Sequence, residues 1–342
     1  MPTTRTIPVD PDQPDPGVIQ EAARILRTGG LVAFATETVY GLGADATNPE
    51  AVARIFEAKG RPSTNPLIVH VESKEAALRC VADWPDRAEI LANRFWPGPL
   101  TLVLRRSGII PDIVTAGQDT VGVRVPRPGV ARWLIFETGR PIAAPSANLS
   151  NRISPTTARH VHEDLDGRVD LILDSGPTAV GIESTVLEIG FDGPLILRPG
   201  EMTREQIAAV LGESVGYFEL PTKQAEPARS PGQLAVHYAP RTPAYRLDRD
   251  QIPPGRIQGR NGYLVIGQLD DFFTFKRLRG SPHYFLYEPG NASAHLYARL
   301  HDLDALGLDF LLIVPPPDEP RWTAIRDRIW RATKPWPPGS SD

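Results

Sequence analysis

The stretch Thr36-Glu37-Thr38-Val39-Tyr40-Gly41-Leu42-Gly43 places two hydroxyl residues, a carboxylate and two glycines directly after the apolar run Leu31–Ala35. That run has the length and composition of a buried β-strand. Polar residues that follow such a strand lie at the edge of a sheet, where open α/β sheets bind ligands. The stretch is therefore predicted to be a polar loop beside a ligand site, although an ordinary polar turn would have the same composition.

The glycines of this loop formally match the dinucleotide fingerprint G-x-G-x-x-A over Gly41–Ala46. That motif needs its glycines directly between a strand and a helix. Here Thr36–Tyr40 intervene, and the next helix is predicted to begin only at Pro49, capped by Asn48. A nicotinamide site is therefore disfavoured, and the sequence contains no G-x-x-x-x-G-K-[ST] phosphate loop.

A second polar loop, Lys59-Gly60-Arg61-Pro62-Ser63-Thr64-Asn65-Pro66, follows that helix and leads into the apolar run Leu67–Val71. The helix dipole alone favours cations at a helix C-terminus. The same residues also suit a triphosphate, because lysine supplies a point charge and arginine a planar fork for phosphate oxygens. The two loops together favour an enzyme that uses ATP.

Further polar clusters adjoin predicted strands, as do the two loops. They are Pro145–Ser150, Gly181–Val186 and Leu197–Gly200. Arg124 lies inside the otherwise apolar strand Val121–Val125. A buried arginine needs an anionic partner, which is here either a structural carboxylate or a substrate.

Predicted strands and helices alternate irregularly, which indicates an α/β domain with a large mixed sheet rather than a doubly wound fold. The predicted organisation is a loose N-terminal arm over 1–16, a catalytic domain over 17–214, a linker over 215–241 and a smaller α/β domain over 242–336. The linker is predicted from the polar, proline-bearing segment that ends near Gln233. The β-then-α order of the last part predicts a compact parallel sheet.

The composition narrows the class of protein. The chain has 342 residues, is 41% hydrophobic and has a formal net charge of -4, which argues against a bulk nucleic-acid binder. The single cysteine, Cys80, excludes an internal disulfide and a cysteine-rich metal cluster. His160 and His162 are expected to be surface histidines, so no protein-held metal is predicted. The absence of a signal segment and of long apolar runs predicts a cytoplasmic protein without a membrane span.

Taken together, six motifs resemble those of the YrdC/Sua5 family, the threonylcarbamoyl-AMP synthases. They run in the family's order over about residues 17–212: T-x-T-V-Y-G-L-G, K-x-R-P…N-P-L, R-V-P, P-S-A-N, E-S-T-V and R-P-G. Ser230-Pro231-Gly232 and His237-Tyr238-Ala239-Pro240 resemble the linker of the long, Sua5-type members. The segment Gln233-Leu234-Ala235-Val236 departs from the methionine and basic residues of many members.

The resemblance implies a YrdC-like α/β domain with a large twisted mixed sheet and a smaller Rossmann-like C-terminal domain. It implies the conversion of L-threonine, bicarbonate and ATP to threonylcarbamoyl-adenylate and pyrophosphate. The product would feed N6-threonylcarbamoyladenosine formation at position 37 of tRNA, through a downstream transferase complex. A weak contact with RNA is left open.

The resemblance also assigns residues. L-Threonine would be held by Thr38, His70, Arg124, Ala144 and Ser184. ATP would be held by Arg61, Asn65, Thr120, Ser146, Ser154, Arg198 and Tyr238. Lys59 would lie by the phosphates, with Lys59 and Arg61 as the catalytic cations and Mg²⁺ bound largely through the phosphates. Tyr238 suggests that the linker folds over the cleft as a lid that excludes water.

Two other functions are considered. A carbamoyl-adenylate former of hydrogenase maturation would share the domain, but those proteins are longer and carry cysteine-rich zinc fingers, whereas this chain has one cysteine. A non-catalytic RNA-binding module is disfavoured by the acidic net charge.

Overall fold

The computed structural model describes residues 3–127, 129–190, 192–218, 231, 237–247, 258–268, 278 and 280–336. The chain divides into two compact units. The first holds the described residues of 1–150 and 154–233, and the second those of 151–153 and 234–342.

The first unit is built on a mixed sheet, which has eleven strands among the described residues. In chain order these are β1 (Arg5–Pro8), β2 (Val32–Ala35), β3 (Tyr40–Asp45), β4 (Ile68–His70), β5 (Leu100–Arg105), β6 (Thr120–Arg124), β7 (Ile142–Ala143), β8 (Leu171–Asp174), β9 (Thr185–Gly190), β10 (Gly193–Arg198) and β11 (Gly216–Tyr217). Their order across the sheet is β1-β8-β2-β3-β7-β4-β6-β5-β9-β10-β11. Parallel pairs such as β4 with β6 alternate with antiparallel pairs such as β2 with β3.

Eight helices of the first unit lie within the described residues. They are α1 (Pro16–Arg27), α2 (Pro49–Lys59), α3 (Lys74–Cys80), α4 (Asp86–Phe95), α5 (Asp112–Thr115), α6 (Gly129–Thr138), α7 (Ala158–Leu165) and α8 (Arg204–Leu211). The Asn48 side chain accepts from the amides of Glu50 and Ala51 and starts α2, as predicted. Gly60 ends α2 in the left-handed conformation, which a glycine adopts without strain.

Both faces of the large sheet are buried. Alternate residues of β2 point to opposite faces, so that Ala33 and Ala35 belong to one core cluster and Val32 and Phe34 to the other. This explains why Leu31–Ala35 is continuously apolar instead of alternating. The second cluster also contains α1 and α6.

Among its described residues, the second unit has a parallel sheet of five strands. Its elements are β12 (Ala244–Arg246), β13 (Asn261–Ile266), β14 (His283–Leu286), α9 (Pro289–Asp304), β15 (Phe310–Val314), a 3₁₀ turn (Pro320–Trp322), α10 (Thr323–Ala332) and β16 (Lys334–Pro335). The strand order is β14-β13-β15-β12-β16. The expected mixed-sheet domain with a smaller parallel α/β domain is therefore confirmed.

Several expectations were wrong in detail. Arg5–Pro8 is not part of a loose arm, because it pairs in parallel with Leu171–Asp174 at the edge of the large sheet. The polar stretch 36–43 is not a loop throughout, because Tyr40 begins β3. His160 is buried, with only His162 of that pair at the surface. Ser230, Gly232 and the departure at 233–236 lie outside the described residues.

Candidate active site

The turn Thr36–Val39 joins β2 to β3 and is held firmly from both sides. The Thr36 amide donates to the Val39 carbonyl at 3.2 Å. The carbonyls of Glu37 and Thr38 accept from the amides of Val180 and Gly181 at 2.7 and 3.0 Å. The backbone on which Glu37 and Thr38 stand is thus fixed before any ligand arrives.

Arg124, at the end of β6, points into this turn and is buried. Its Nη1 donates to Thr38 Oγ1 at 3.1 Å, and its Nε donates to the Gly98 carbonyl at 3.2 Å. Its Nη2 lies 2.7 Å from Glu37 Oε1. Of the two partners that the sequence left open for Arg124, the structure therefore supplies the carboxylate.

Thr38 is also part of a short chain of hydroxyls. Its Oγ1 lies 2.8 Å from Thr36 Oγ1, and Thr36 donates in turn to the Val39 carbonyl at 2.7 Å. The amides of Thr38 and Val39 donate to Thr36 Oγ1 as well. Thr36 therefore supports the orientation of the Thr38 side chain.

His70 lies beside Arg124, because β4 and β6 pair in parallel with these two residues in register. Burial, with the positive charges of Arg124 and Arg198 adding to it, lowers the pKa of His70 to about 3, while the Ile68 carbonyl acts in the opposite direction. The imidazole is therefore neutral at physiological pH. Its Nδ1 is buried and has no hydrogen-bond partner among the described residues.

Ser184 and Arg198 come together from the two strands β9 and β10. Arg198 Nη2 donates to Ser184 Oγ at 3.1 Å and to the Ser184 carbonyl at 3.0 Å. Ser184 Oγ also lies 2.9 Å from Thr101 Oγ1. Arg198 Nη1 donates to the carbonyl of Pro231 at 3.3 Å, so this arginine connects a residue of the predicted linker with the Ser184 region.

Lys59 is buried at the end of α2, and its ammonium group meets the turn that contains Ser146. Lys59 Nζ donates to the carbonyls of Ser146 and Asn148, both at 2.5 Å, and to Asn148 Oδ1 at 3.3 Å. Burial, with Arg61 adding to it, lowers the pKa of Lys59 well below its usual range, and Asp164 partly opposes this. In this structure the three ammonium hydrogens are occupied in shaping the turn.

Arg61 and Asn65 lie in the loop after α2. Arg61 donates to the carbonyls of Asn65 and Pro66 at 3.3 and 3.0 Å. Asn65 is buried, yet neither its Nδ2 nor its Oδ1 has a hydrogen-bond partner among the described residues. A buried amide with both ends unsatisfied is rare in proteins, which makes Asn65 a candidate ligand contact.

A narrow groove adjoins this loop. Its lining includes Pro66, Ile68, Val103, Thr120, Val186 and Pro231. Thr120 opens β6, four residues before Arg124, which is roughly 13 Å at about 3.3 Å per residue. The lining also includes Gly122, so the groove extends along β6 to within two residues of Arg124.

Three further residues that the resemblance assigned to the site are Ala144, Ser154 and Tyr238. Ala144 follows β7, and its amide donates to the Ile68 carbonyl at 3.0 Å. Ser154 is buried and donates to Glu183 Oε1 at 2.5 Å. Tyr238 belongs to the second unit, where its ring stacks on Tyr297 with the centroids 5.7 Å apart.

Neither a metal cluster nor a membrane span is found in the parts of the chain that the structure describes. No group of three or more His, Cys, Asp or Glu side chains is placed to hold a metal ion there. The described helices also include none that is both long and apolar enough to cross a membrane.

The chain is a two-unit α/β protein whose first unit buries several charged and polar side chains, and comparisons with known proteins specify its class further. Residues 24–200 match the family model of the Sua5, YciO and YrdC proteins, described as "Telomere recombination". Residues 202–333 match the model described as "Threonylcarbamoyl-AMP synthase, C-terminal domain".

Individual relatives agree. The chain is 40% identical to the threonylcarbamoyl-AMP synthase of Pyrococcus abyssi, over 92% of this chain and 94% of that protein. It is 43% identical to that of Bacillus subtilis, over 93% of each chain. The crystal structure of P. abyssi Sua5 complexed with L-threonine superimposes with a TM-score of 0.87 at 38% identity, covering 97% of this chain and 99% of that one. The chain therefore belongs to the Sua5/YrdC family of threonylcarbamoyl-AMP synthases.

Sequence reasoning overlooked two side chains of the site. Glu37 was seen only as one carboxylate of a polar loop, although the need of Arg124 for an anion pointed toward a nearby acid. Asn148 was seen only as part of the P-S-A-N turn, whereas its carbonyl and side chain accept from Lys59. Neither role has a local sequence signal, because each partner lies more than eighty residues away along the chain.

Proposed function

We propose that this chain makes threonylcarbamoyl-AMP and pyrophosphate from L-threonine, bicarbonate and ATP, for N6-threonylcarbamoyladenosine formation in tRNA. Membership of the family supports the reaction, and one observation supports the place. Buried polar atoms of Glu37, Asn65, His70 and Arg124 have no hydrogen-bond partner among the described residues of the first unit. Unsatisfied buried atoms cost free energy, and substrates that hydrogen-bond to them would offset that cost.

On the threonine side, Arg124 is proposed to bind the α-carboxylate. Nη2 is the nitrogen proposed to donate to this carboxylate, because Nη1 and Nε already donate to Thr38 and Gly98. Neutral His70 and Ser184 are proposed to hydrogen-bond to the side-chain hydroxyl of L-threonine. Ala144 is proposed to line the pocket. A neutral imidazole suits this role because it can accept or donate one hydrogen bond without adding a charge.

On the ATP side, the proposed contacts are the residues that the family resemblance assigns to ATP. They are Arg61, Asn65, Thr120, Ser146, Ser154, Arg198 and Tyr238. The amide of Asn65 offers a donor and an acceptor, and Arg61 a cation beside it. Mg²⁺ would bind together with ATP, through the phosphate oxygens. This binding requires no carboxylate cluster from the protein.

The chemistry needs positioning more than proton transfer. An N-carboxylated threonine attacks the α-phosphorus, the bond to the β-phosphate oxygen breaks, and pyrophosphate leaves with the negative charge. Arg61 is proposed to stabilise that charge directly. Lys59 is proposed to act indirectly when no substrate is bound, because its hydrogens hold the turn that contains Ser146.

The decisive experiment measures pyrophosphate release by the full chain with ATP, bicarbonate and L-threonine. Release that depends on L-threonine, with threonylcarbamoyl-AMP as the second product, is expected. Release with carbamoyl phosphate alone, or none, would overturn the proposal. The downstream transferase complex, contact with RNA, the cytoplasmic location and the lid function of the linker remain predictions.

A further inference from the structure

The ion pair between Glu37 and Arg124 is sealed from solvent but incompletely satisfied. Both side chains are only 4% exposed, and Glu37 Oε1 and Arg124 Nη2 lie 2.7 Å apart. Despite this distance the contact lacks hydrogen-bond geometry, and neither atom has another hydrogen-bond partner in the described part of the chain. One oxygen and one nitrogen of opposite charge are thus left facing each other with hydrogen-bonding capacity unused.

The other atoms of both groups are anchored. Glu37 Oε2 accepts from the Arg127 amide at 3.1 Å, and Arg124 donates through Nε and Nη1 to Gly98 and Thr38. These hydrogen bonds fix each group, while Glu37 Oε1 and Arg124 Nη2 contact each other. This arrangement presents a fixed anion and a fixed cation side by side.

A purely structural role for Glu37 is the simplest rival. Removing two charges from water is costly, and a buried pair is stabilising only when hydrogen bonds satisfy its remaining atoms. Here the remaining atoms are hydrogen-bonded, whereas the two atoms that make the pair have only their 2.7 Å contact with each other. A structural carboxylate would be expected to align with the guanidinium in a fork.

The surroundings also bear on what can enter. Arg198 contributes a second positive charge near His70, and His70 itself is neutral. A ligand that carried only a carboxylate would meet Arg124 but would also be repelled by Glu37. A ligand with an ammonium group next to its carboxylate satisfies both, because it offers each protein charge an opposite one.

We propose that Glu37 binds the α-ammonium group of L-threonine while Arg124 binds its α-carboxylate, so that the ligand replaces one resting ion pair with two. This inference rests on the proposed function, since it concerns the same substrate. It makes Glu37 a specificity-determining residue that selects α-amino acids over hydroxy acids of the same shape.

The test compares three ligands by calorimetry on the full chain. L-Threonine carries both charges, L-threoninol lacks the carboxylate, and 3-hydroxybutyrate of matching configuration lacks the ammonium. In Glu37→Gln, affinity for L-threonine and L-threoninol is expected to fall about ten- to a hundredfold, because a charge-assisted bond is lost. Affinity for 3-hydroxybutyrate should stay the same or rise, because the repelling carboxylate is gone.

A structural role predicts a different pattern. If Glu37 only holds Arg124 in place, Glu37→Gln will weaken L-threonine and 3-hydroxybutyrate alike and spare L-threoninol, and the inference is then overturned. Glu37→Asp is the second variant. It keeps the negative charge that stabilises Arg124 but shortens the side chain by one methylene group. It is expected to weaken only the two ammonium-bearing ligands.

The unsubstituted chain gives a check that no folding defect can obscure. It should bind L-threonine far more tightly than 3-hydroxybutyrate, and equal affinity would overturn the inference. A chain that binds L-threonine with this preference but releases no pyrophosphate overturns the proposed function and leaves the inference standing. A chain that releases pyrophosphate yet keeps its preference in Glu37→Gln overturns the inference alone.

Discussion

His70→Gln should remove a specific pH dependence of stability. His70 is buried, and its pKa is lowered to about 3 in the folded chain, whereas an unfolded histidine titrates near 6.5. Between these values the unfolded state binds more protons than the folded state. Stability is therefore fully present above about pH 6.5 and is lost as the pH falls toward 3.

The size of the expected stability loss follows from how far the pH falls below the pKa of the unfolded histidine. Going from about pH 7.5 to about pH 5 traverses roughly 1.5 units below the unfolded pKa, which at 1.36 kcal/mol per unit amounts to about 2 kcal/mol. The unsubstituted chain should lose this amount through His70, and His70→Gln should not. Other histidines contribute equally to both proteins, so the difference between the two slopes isolates His70.

The measurement is urea denaturation of both proteins at the two pH values, followed by fluorescence or circular dichroism. His162→Gln is the matched control, because His162 is half exposed on the surface of α7. Its pH slope should equal that of the unsubstituted chain. If His70→Gln showed the same slope as well, folding would not lower the pKa of His70, and the burial argument for a neutral imidazole would be wrong.

Other substitutions test the remaining parts of the site. Lys59→Met should destabilise the chain by roughly 1–3 kcal/mol in denaturant titrations, because buried carbonyls of Ser146 and Asn148 lose their donor; unchanged stability would refute this role. Arg61→Ala should abolish pyrophosphate release and weaken ATP while leaving L-threonine affinity unchanged in calorimetry, with exposed Arg105→Ala as control; retained turnover would remove the phosphate assignment. Gly200→Ala should cost about 1–3 kcal/mol, because its Cβ would lie 2.3 Å from the Thr185 amide nitrogen, whereas Gly108→Ala, with nothing within 4 Å, should be neutral. Deleting residues 219–342, which spares β11, should weaken ATP binding or release intermediate; full activity and product yield would refute the lid.

Local signals in the sequence were sufficient for much of the fold. The start of α2 at Pro49 with Asn48 as its cap was predicted and is present. Burial of β2 on both faces follows from its unbroken apolar composition. These features depend on neighbours within a few residues, and the sequence contains that information directly.

Features that depend on distant partners were missed. Tyr40–Gly43 of β3 was predicted as part of a polar loop, yet a Cβ at Gly43 would lie 2.7 Å from Phe34 Cε1 on the neighbouring strand. The glycine makes room for an aromatic ring across the sheet, which no local pattern reveals. Arg5–Pro8 likewise becomes a strand only because Leu171–Asp174 offers it an edge.

The site was predicted unevenly for the same reason. Residue types at strand ends indicated a charged ligand, and the family motifs supplied particular positions. The pairing of Arg124 with Glu37 joins residues eighty-seven positions apart, and the Lys59 contacts with the P-S-A-N turn depend on the close approach of α2 to that turn. Such contacts arise from the assembled sheet and could not be read from spacing.

The hydroxyl chain at the turn has a direction. Thr36 has a single hydrogen and gives it to the Val39 carbonyl, so the Thr38 hydroxyl must give its own hydrogen to Thr36. Arg124 occupies one of the two lone pairs of Thr38. The one remaining position at Thr38 is a lone pair, so it accepts an N–H or O–H group and rejects a carboxylate oxygen. At this turn the capacity to donate therefore lies with Arg124 and the capacity to accept with Thr38.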